Sequence, residues 1–559
     1  MAVVVVILIR THSNRCSGQT RRNRCRELRQ INQISAARVQ RNWKNTPGRE
    51  VSLSDEDRIV ATDLGIFGAA SLFQLVCNAE TAAGIRTLRD WLIHPTDPTE
   101  IRERQQAIAE LSSRLDYRQE LNAVSRSMAR TKFVPDDFLE WAEGRTYLSR
   151  KRSLVWLVRT LPIIVLSMPS LTLLGVLPQH IGMPIMTTAI AVNILLTVAV
   201  VGTVHDIFRI VCPAPDGFDL DRLQRVFTKL SNMNGESRTL VEIQETASTA
   251  TAGLKQLQRI MKFTSLSRNA ITAVPVYLPL QFTVLWDFQI LQLLEDWQQK
   301  HGHQFRNWLD ALGKFEATES LAALAHDNPK WSFPEVGAEH NEQFIANQLG
   351  HPLLAESVRV LNDVTIGPAG RMLLVTGSNM SGKSTLLRSI GINAVLAQAG
   401  VPVCAHQLQM PFVKVVTSMR FVDALQDGVS LYMAEVSRLK KIVDTAREFS
   451  RSADESKAPP VTLLFLLDEI LHGTNSAERQ IATQRVLSHL LQYQVIGAVS
   501  THDLQLAEVP GIQEASEIVH FRESLEDNDD QVRMTFDYTM RPGIAPTTNA
   551  VKLLEMVGL

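Results

Sequence analysis

Cysteine is scarce. The chain has five in 559 residues, Cys16, Cys25, Cys77, Cys212 and Cys404, with no Cys-x-x-Cys pair and no histidine at metal-ligand spacing. Neither a zinc-stapled nor a disulfide-built scaffold fits that pattern, whereas a reducing compartment, where free thiols act as small buried hydrophobes, does. Net charge is also missing: 57 Lys and Arg stand against 58 Asp and Glu. The whole chain therefore offers no basic coat for nucleic acid, although local patches stay open. No repeat of 20 to 50 residues stands out. The nine apolar residues Met1 to Ile9 are too short for a span and have no basic n-region, so they do not read as a targeting signal.

What is present is a folding composition, 45% hydrophobic and 21% charged, with length for roughly three or four domains. Residues 10 to 50 carry many arginines, among them Arg21, Arg22, Arg24, Arg26 and Arg29. They read either as a solvated basic tail or as a segment placed near anionic lipid or nucleic acid. From Asp55 to Gly144, apolar residues recur at helical spacing, as in Leu88, Trp91, Leu92, Ile101, Ile108 and Leu111. His94-Pro95-Thr96-Asp97-Pro98 breaks this block, which predicts a helix-turn-helix step.

Two apolar stretches, Thr160 to Pro178 and Met183 to Val204, contain no Asp, Glu, Lys or Arg. Each is close to the 20 or so residues that cross about 30 Å of hydrocarbon. Gln179-His180-Ile181-Gly182 between them is uncharged, while Arg145, Arg150, Lys151 and Arg152 precede the first and Arg209 follows the second. The charge rule then predicts a two-helix transmembrane hairpin with both soluble parts in the cytoplasm; a hairpin of buried core helices is the alternative. A third run, Ala270 to Leu285, is shorter and suits a buried helix better than a span. The polar stretch Glu448 to Pro460 reads as a surface loop.

Chemistry concentrates near the C-terminus. A strand pattern, Arg371 to Val375, runs directly into Gly377-Ser378-Asn379-Met380-Ser381-Gly382-Lys383-Ser384, which matches G-x-x-x-x-G-K-[ST], and a helical pattern follows from Thr385. In such a loop, glycines let the backbone wrap phosphate oxygens. Helix N–H groups face the negative charge, Lys383 reaches the β- and γ-phosphates, and Ser384 can ligate Mg²⁺. A second apolar run, Val461 to Leu467, ends in Asp468-Glu469. Asp468 would hold the Mg²⁺ shell and Glu469 would orient or deprotonate the attacking water. A third strand pattern, Val495 to Val499, leads to His502, at the carboxyl edge where parallel sheets bind ligands and within reach of a γ-phosphate or a water.

In order and detail these motifs resemble the MutS family of DNA mismatch-repair ATPases. Thr376 to Thr385, with Asn379-Met380 before Gly382-Lys383-Ser384-Thr385, is similar to that family's phosphate loop. Asp468-Glu469-Ile470 with Gly473-Thr474-Asn475-Ser476 resembles its acidic strand end, with His472 where Arg is usual. Ser500-Thr501-His502 resembles its histidine switch. Gly428 to Glu435 is similar to the segment whose serine, here Ser430, contacts the γ-phosphate held by a second subunit; a helix N-cap is the plainer role for Ser430. Phe536-Asp537-Tyr538 with Arg541-Pro542-Gly543 resembles the closing segment, and Arg359 stands where an aromatic that stacks on adenine is common. Upstream, Leu72-Phe73 through Leu92, Pro95 and Arg104 to Ile108 resemble the helical core that leads into the family's levers.

The resemblance implies an ATPase using ATP and Mg²⁺, with Gly377, Ser378, Asn379, Met380, Ser381, Gly382, Lys383, Ser384 and Thr385 at the nucleotide. Ser384 and Asp468 would serve the metal, and Glu469, His502 and Ser430 catalysis. It implies a homodimer with double-stranded DNA as candidate partner. The 54 residues ahead of the core leave no room for the mismatch-reading domain with its Phe-x-Glu wedge. One such triplet, Phe521-Arg522-Glu523, sits after the ATPase motifs and reads as an ordinary surface stretch. The apolar hairpin takes the place of the family's DNA clamp.

The expected architecture is an α/β P-loop (ABC-type) ATPase domain plus an all-α core and lever region carrying the transmembrane hairpin. Its parts are a basic segment 1–54, helical core 55–150, hairpin 151–210, second lever and core part 211–345, and ATPase domain 346–559. The hairpin would meet the membrane through residues 160–204, with the ATPase domain facing the cytoplasm. An ATP-driven membrane or protein-remodelling machine without DNA is the rival function.

Overall fold

A computed structural model describes residues 22, 24–129, 136–211, 220–268, 273–338, 341–378, 380–419, 431–453, 461–471, 476–528 and 531–545. They fall into two compact units.

The first unit, Met1–Leu28, Ala79–Ile85 and Asp116–Glu316, is helical where described. Its aromatic core centres on Trp297, which is fully buried. The Trp141 and Trp297 rings stack at 6.0 Å, and Phe138, Phe305 and Trp308 close around them. Trp297 Nε1 donates to the Gly253 carbonyl at 2.8 Å, so the buried indole is satisfied. A Cβ at residue 253 would lie 2.4 Å from Trp308, which is why glycine sits there. Buried Glu295 accepts from the backbone N–H groups of Tyr147, Leu148 and Ser149 at 2.8, 2.5 and 2.8 Å and so fixes the entrance to the apolar hairpin.

That hairpin consists of helices Arg152–Leu173 and Gln179–Val211, both long and apolar enough to cross a membrane. It differs from expectation in its limits. The connection is Leu174 to Pro178, and Gln179-His180-Ile181-Gly182 already belong to the second helix. Gly182 lets the two helices meet, since a Cβ there would lie 2.3 Å from the Thr172 methyl. Pro162, Pro169 and Pro184 lie inside the helices, where each removes one backbone donor. Large apolar side chains face outward along both helices: Trp156, Ile163, Leu166, Leu173, Leu195 and Val198 are all more than half exposed.

The third apolar run, whose residues 270–272 lie outside the described residues, is not a buried helix from Ala273 onward. It forms a short π-helical turn, Ala273–Tyr277, and a two-turn helix, Leu278–Val284, packed beside the hairpin with Val276 and Leu278 exposed.

The second unit is Arg29–Asn78, Arg86–Leu115 and Ala317–Leu559. Ile93 ends one helix and Pro98 starts the next. Asp97 caps that next helix through the Thr99 N–H at 2.7 Å, which is the expected break. Strands are numbered along the chain: β1 (Glu335–Val336), β2 (Phe344–Leu349), β3 (Asn362–Ile366), β4 (Met372–Thr376), β5 (Gln407–Met410), β6 (Val413–Ser418), β7 (Thr462–Asp468), β8 (Ile496–Thr501), β9 (Ser516–His520), β10 (Glu523–Asn528), β11 (Gln531–Phe536) and β12 (Arg541–Pro542). The main sheet has the order β12-β9-β4-β8-β7-β6 and is parallel except at β12. Every residue of β4 and β8 is buried, the signature of strands covered on both faces. A smaller sheet runs β1-β5-β2-β3, and β10 and β11 pair as a hairpin.

Helix Asp55–Leu64 packs on the main sheet. Its Asp63, 2% exposed, accepts from Thr417 Oγ1 at 2.8 Å, from the Met419 N–H at 3.0 Å and from Arg438.

In the arginine-rich segment Arg22, Arg24, Arg26 and Arg29 are exposed, as a solvated stretch would have them, but its later arginines are not. Arg38 and Arg41 are buried; Arg38 donates to Asn78 and to the Cys77 carbonyl, and Arg41 to the Pro352 carbonyl at 2.9 Å. Burial lowers the pKa of both guanidinium groups, that of Arg41 to about 10. The stretch expected as a loop from Glu448 is helical through Ala453, the end of helix Leu431–Ala453.

Candidate functional site

The site lies at the carboxyl ends of three adjacent strands, β4, β8 and β7. After Thr376 the chain turns through Gly377 (φ 141°) and Gly382 (φ 109°), positive angles that suit glycine alone, and enters helix Lys383–Ala399. Almost every residue of that helix is buried, so its N-terminus and the loop before it are held by the core. Gly382 is doubly required, since a Cβ there would also sit 3.1 Å from the Tyr538 ring.

Lys383, 3% exposed, folds back over its own loop. Its Nζ donates to the carbonyls of Gly377 and Ser378 at 3.0 and 2.8 Å and pairs with Glu469 Oε1 at 3.1 Å. Glu469 follows β7 in a left-handed conformation (φ 46°), rare for a non-glycine residue. Its N–H donates to Ser500 Oγ at 3.1 Å, and its other carboxylate oxygen lies 3.8 Å from His502 Nδ1. The His502 ring and the Lys383 ammonium hold the Glu469 carboxyl down to about 2, against the upward push of partial burial. Asp468, 8% exposed, accepts from Ser500 Oγ at 2.5 Å. One β8 serine thus ties Asp468, the last residue of β7, and Glu469, which follows it.

A cavity of about 740 Å³ opens in front of these groups. Met380, Ser381, Gly382, Lys383, Ser384, Thr385, Asp468 and Glu469 line one side of it. Leu354, Val358, Val360 and Tyr538 line another, giving a polar floor and an apolar wall, the pattern of a small-molecule site. Ser381 Oγ is buried without a hydrogen-bond partner among the described residues, and Met380 is 85% exposed. An orphan hydroxyl beside helix N–H groups and a lysine suits an anion. A divalent ion fits the oxygen set as well, because Ser384 and the Asp468 carboxylate share the cavity wall and small hard cations keep water and phosphate oxygens as their other ligands. Among the described residues, no cluster of three His, Cys, Asp or Glu offers an all-protein metal cage.

Most of the residues expected at the site meet here: Gly377 and Ser378 in the loop, Met380 to Thr385 at the cavity, Asp468, Glu469 and His502 at the strand ends. Asn379, Ser430 and His472 to Asn475 lie outside the described residues. Arg359 is not among the residues that line the cavity. Its guanidinium donates to the carbonyls of His351 and Leu354 at 3.1 and 2.5 Å and lies 5.7 Å from the Trp331 ring.

Two residues were missed by sequence reasoning. Phe521-Arg522-Glu523 is not a surface stretch: Phe521 is 2% and Glu523 7% exposed, and Glu523 Oε2 accepts from Ser378 Oγ of the loop at 2.7 Å. The approach is enforced by the Phe521 N–H, which extends the β4–β9 pairing by donating to the Thr376 carbonyl at 3.1 Å. Tyr538 supplies one aromatic of the cavity wall, beside Phe521; its carbonyl is held by Asn362 Nδ2 at 3.1 Å, and its ring stacks with Phe536 at 6.0 Å. His351, also on the wall, accepts from the Leu353 N–H; burial, with Arg388 and Arg359 nearby, lowers its pKa to about 4.

A glycine loop between a buried parallel strand and a helix, opposite an acidic strand end, defines a protein built to hold an anionic ligand at the edge of its sheet. Comparison with known families agrees at two places. Residues 373–559 match the model of MutS domain V and residues 53–156 that of MutS domain III. The DNA mismatch repair protein MutS of a Synechococcus species is 26% identical over 518 residues, 82% of this chain and 52% of that protein. Endonuclease MutS2 of Thermus thermophilus is 30% identical over 195 residues, 35% of this chain and 24% of that protein. The DNA mismatch repair protein MSH6 of Arabidopsis thaliana is 30% identical over 275 residues, 46% of this chain and 20% of that protein. The chain thus spans between about a fifth and about half of these relatives' lengths. It belongs to the MutS family.

Proposed function

We propose that this chain is a DNA-associated, MutS-like ATPase of the P-loop (ABC-type) class, anchored in the cytoplasmic membrane, in which an ATP-driven dimer cycle moves helical levers. The observation that carries the ATPase reading is the convergence of Lys383, Asp468 and Glu469 on one cavity with a phosphate-type loop, with His502 beside Glu469.

In this reading, loop 377–385 holds the triphosphate and Lys383 exchanges its bond to Glu469 for phosphate oxygens. Ser384 and Asp468 would hold Mg²⁺, which would supply charge neutralisation for phosphoryl transfer. Glu469, released from Lys383, orients the attacking water and accepts its proton; His502 holds the carboxylate in place from the other side. Tyr538 and the Leu354–Val360 wall receive the base. Ser430, on a second copy of the chain, completes the γ-phosphate site, so closure of the dimer and hydrolysis are coupled.

The anchor reading rests on the outward apolar faces of the hairpin, which water would not favour. The association with DNA rests on the relatives, two of which are mismatch repair proteins by name. The same exposed hairpin favours a second reading, a membrane or protein-remodelling machine without DNA.

The test is the ATPase rate of the detergent-purified full chain with and without homoduplex, mismatched and branched DNA, at two salt concentrations. Salt-sensitive stimulation supports the first reading, because phosphate contacts release counterions. Turnover indifferent to every DNA replaces it with the second. Absence of turnover under all conditions overturns the ATPase assignment.

A further inference from the structure

The segment between two long helices, Arg238–Arg268 and Trp286–Asp327, carries a feature that neither ATP nor DNA explains. Residues 273–285, Ala-Val-Pro-Val-Tyr-Leu-Pro-Leu-Gln-Phe-Thr-Val-Leu, contain no charged side chain. In water such a stretch is expected to bury itself. Here Pro275, Val276, Leu278 and Pro279 are exposed. At 13 residues the segment is too short to cross a bilayer, which needs about 20.

Its other face is bound to the hairpin by polar groups. A helix leaves its last carbonyls unsatisfied, and the helix Leu278–Val284 ends abruptly at Leu285 in a left-handed conformation (φ 54°). Asn193, in the middle of the long apolar helix and fully buried, donates through Nδ2 to the Phe282 carbonyl at 2.8 Å and the Thr283 carbonyl at 3.4 Å. Gln281, 2% exposed, donates to Thr197 Oγ1 at 3.1 Å and accepts from the Asp287 N–H at 2.9 Å. Water would satisfy those carbonyls at no cost on an aqueous surface. A buried amide dedicated to them is what a non-aqueous setting demands, where each unsatisfied polar group costs several kcal/mol.

The level is set by Gln289, just beyond the segment. Its Nε2 donates to the Val158 carbonyl at 3.2 Å, near the start of the first hairpin helix, where Arg150, Lys151, Arg152 and Arg159 cluster. Three aromatic side chains share that region: Trp156 (73% exposed), Phe263 (48% exposed) and Trp286, whose ring meets Phe263 edge-on at 6.1 Å. Aromatics and arginines in one band at the base of an apolar hairpin mark the boundary between headgroups and acyl chains.

We propose that residues 273–285 form a third, non-spanning membrane element that lies in the headgroup and acyl boundary, latched to the hairpin by Asn193 and Gln281. The proposal rests on the reading of the hairpin as membrane-spanning. It places the link between the two long helices in the lipid boundary itself, so that motion of either helix pulls on the hairpin through the Asn193 latch.

The test uses the full chain in nanodiscs of phosphatidylcholine and phosphatidylglycerol, with a fluorescent non-natural amino acid at Leu278, at Ile163 of the hairpin, or at Ile481 of the second unit. Lipids brominated near the headgroup end of the acyl chain are then introduced. Quenching of the Leu278 and Ile163 probes by at least about half, with Ile481 unchanged, is the expected result. Quenching at Ile163 without quenching at Leu278 overturns the proposal and leaves the hairpin in the membrane. Quenching at neither overturns both.

Discussion

Lys383 Nζ and Glu469 Oε1 stand 3.1 Å apart, an ion pair that joins the phosphate-type loop to the end of β7. Two loop carbonyls share the same ammonium group, so the lysine is already satisfied before any ligand arrives. A triphosphate must compete with the carboxylate for it. The competition links arrival of the ligand to release of Glu469, the group proposed to act on water.

Replacing Glu469 by Gln keeps the hydrogen-bonding shape and removes the base. ATP binding is expected to persist while steady-state phosphate release falls by about 10²-fold or more, the usual contribution of a positioned base. The nucleotide-bound dimer then accumulates on size exclusion. Normal turnover in this variant would remove the assignment.

Lys383→Ala takes away the charge at the loop and leaves Glu469 facing incoming phosphates alone. Equilibrium binding of a fluorescent ATP analogue is expected to weaken by at least about tenfold, since charge-assisted bonds are the strong ones. Affinity equal to the unmodified chain would show that phosphate does not sit on this loop.

The Glu469 carboxyl, held at about 2 against an ordinary 4.5, also predicts a pH dependence. A group whose pKa is lowered by folding stabilises the folded state above its unfolded value. That contribution fades as pH falls from 4.5 toward 2. Thermal denaturation of the full chain and of Glu469→Gln should therefore converge over that window and stay a constant distance apart above it. A gap that widens on acidification would contradict the His502 and Lys383 contacts.

Gly382→Ala places a methyl group where φ is 109° and Tyr538 is 3.1 Å away. Backbone strain of this kind costs of order 1–3 kcal/mol. A lowered melting temperature with weakened nucleotide binding is expected, and Tyr538→Ala in the same chain should relieve only the steric part. Unchanged melting and binding would refute this account of the loop.

Much of the site could be read directly from the sequence because its parts are local. Gly377 to Thr385 bring their own strand and helix, and the apolar runs before Asp468 and His502 are long enough to be central strands. Glu523 and Tyr538 escaped because they reach the loop through pairing of distant segments: Phe521 docks on Thr376 across more than a hundred residues of chain. The hairpin was recognisable by its lack of charge, but its turn was misplaced. Uncharged polar residues such as Gln179 and His180 fit the first turn of a helix as readily as a loop. The segment 273–285 was misjudged for a related reason. Apolar composition marks a wish to leave water and does not say whether protein or lipid receives it.

Asp63 sets a limit on how this molecule can be taken apart. Its carboxylate binds Thr417, Met419 and Arg438, all of them more than 350 positions further along the chain. Leu64 beside it presses on Gly391, where even a methyl group would lie 2.4 Å from its side chain. A chimera that exchanged residues 346–559 for those of a relative would leave the helix Asp55–Leu64 facing a foreign sheet. Only a transplant that carries this helix along would keep the acid with its arginine, so the natural unit of exchange in such a protein is discontinuous.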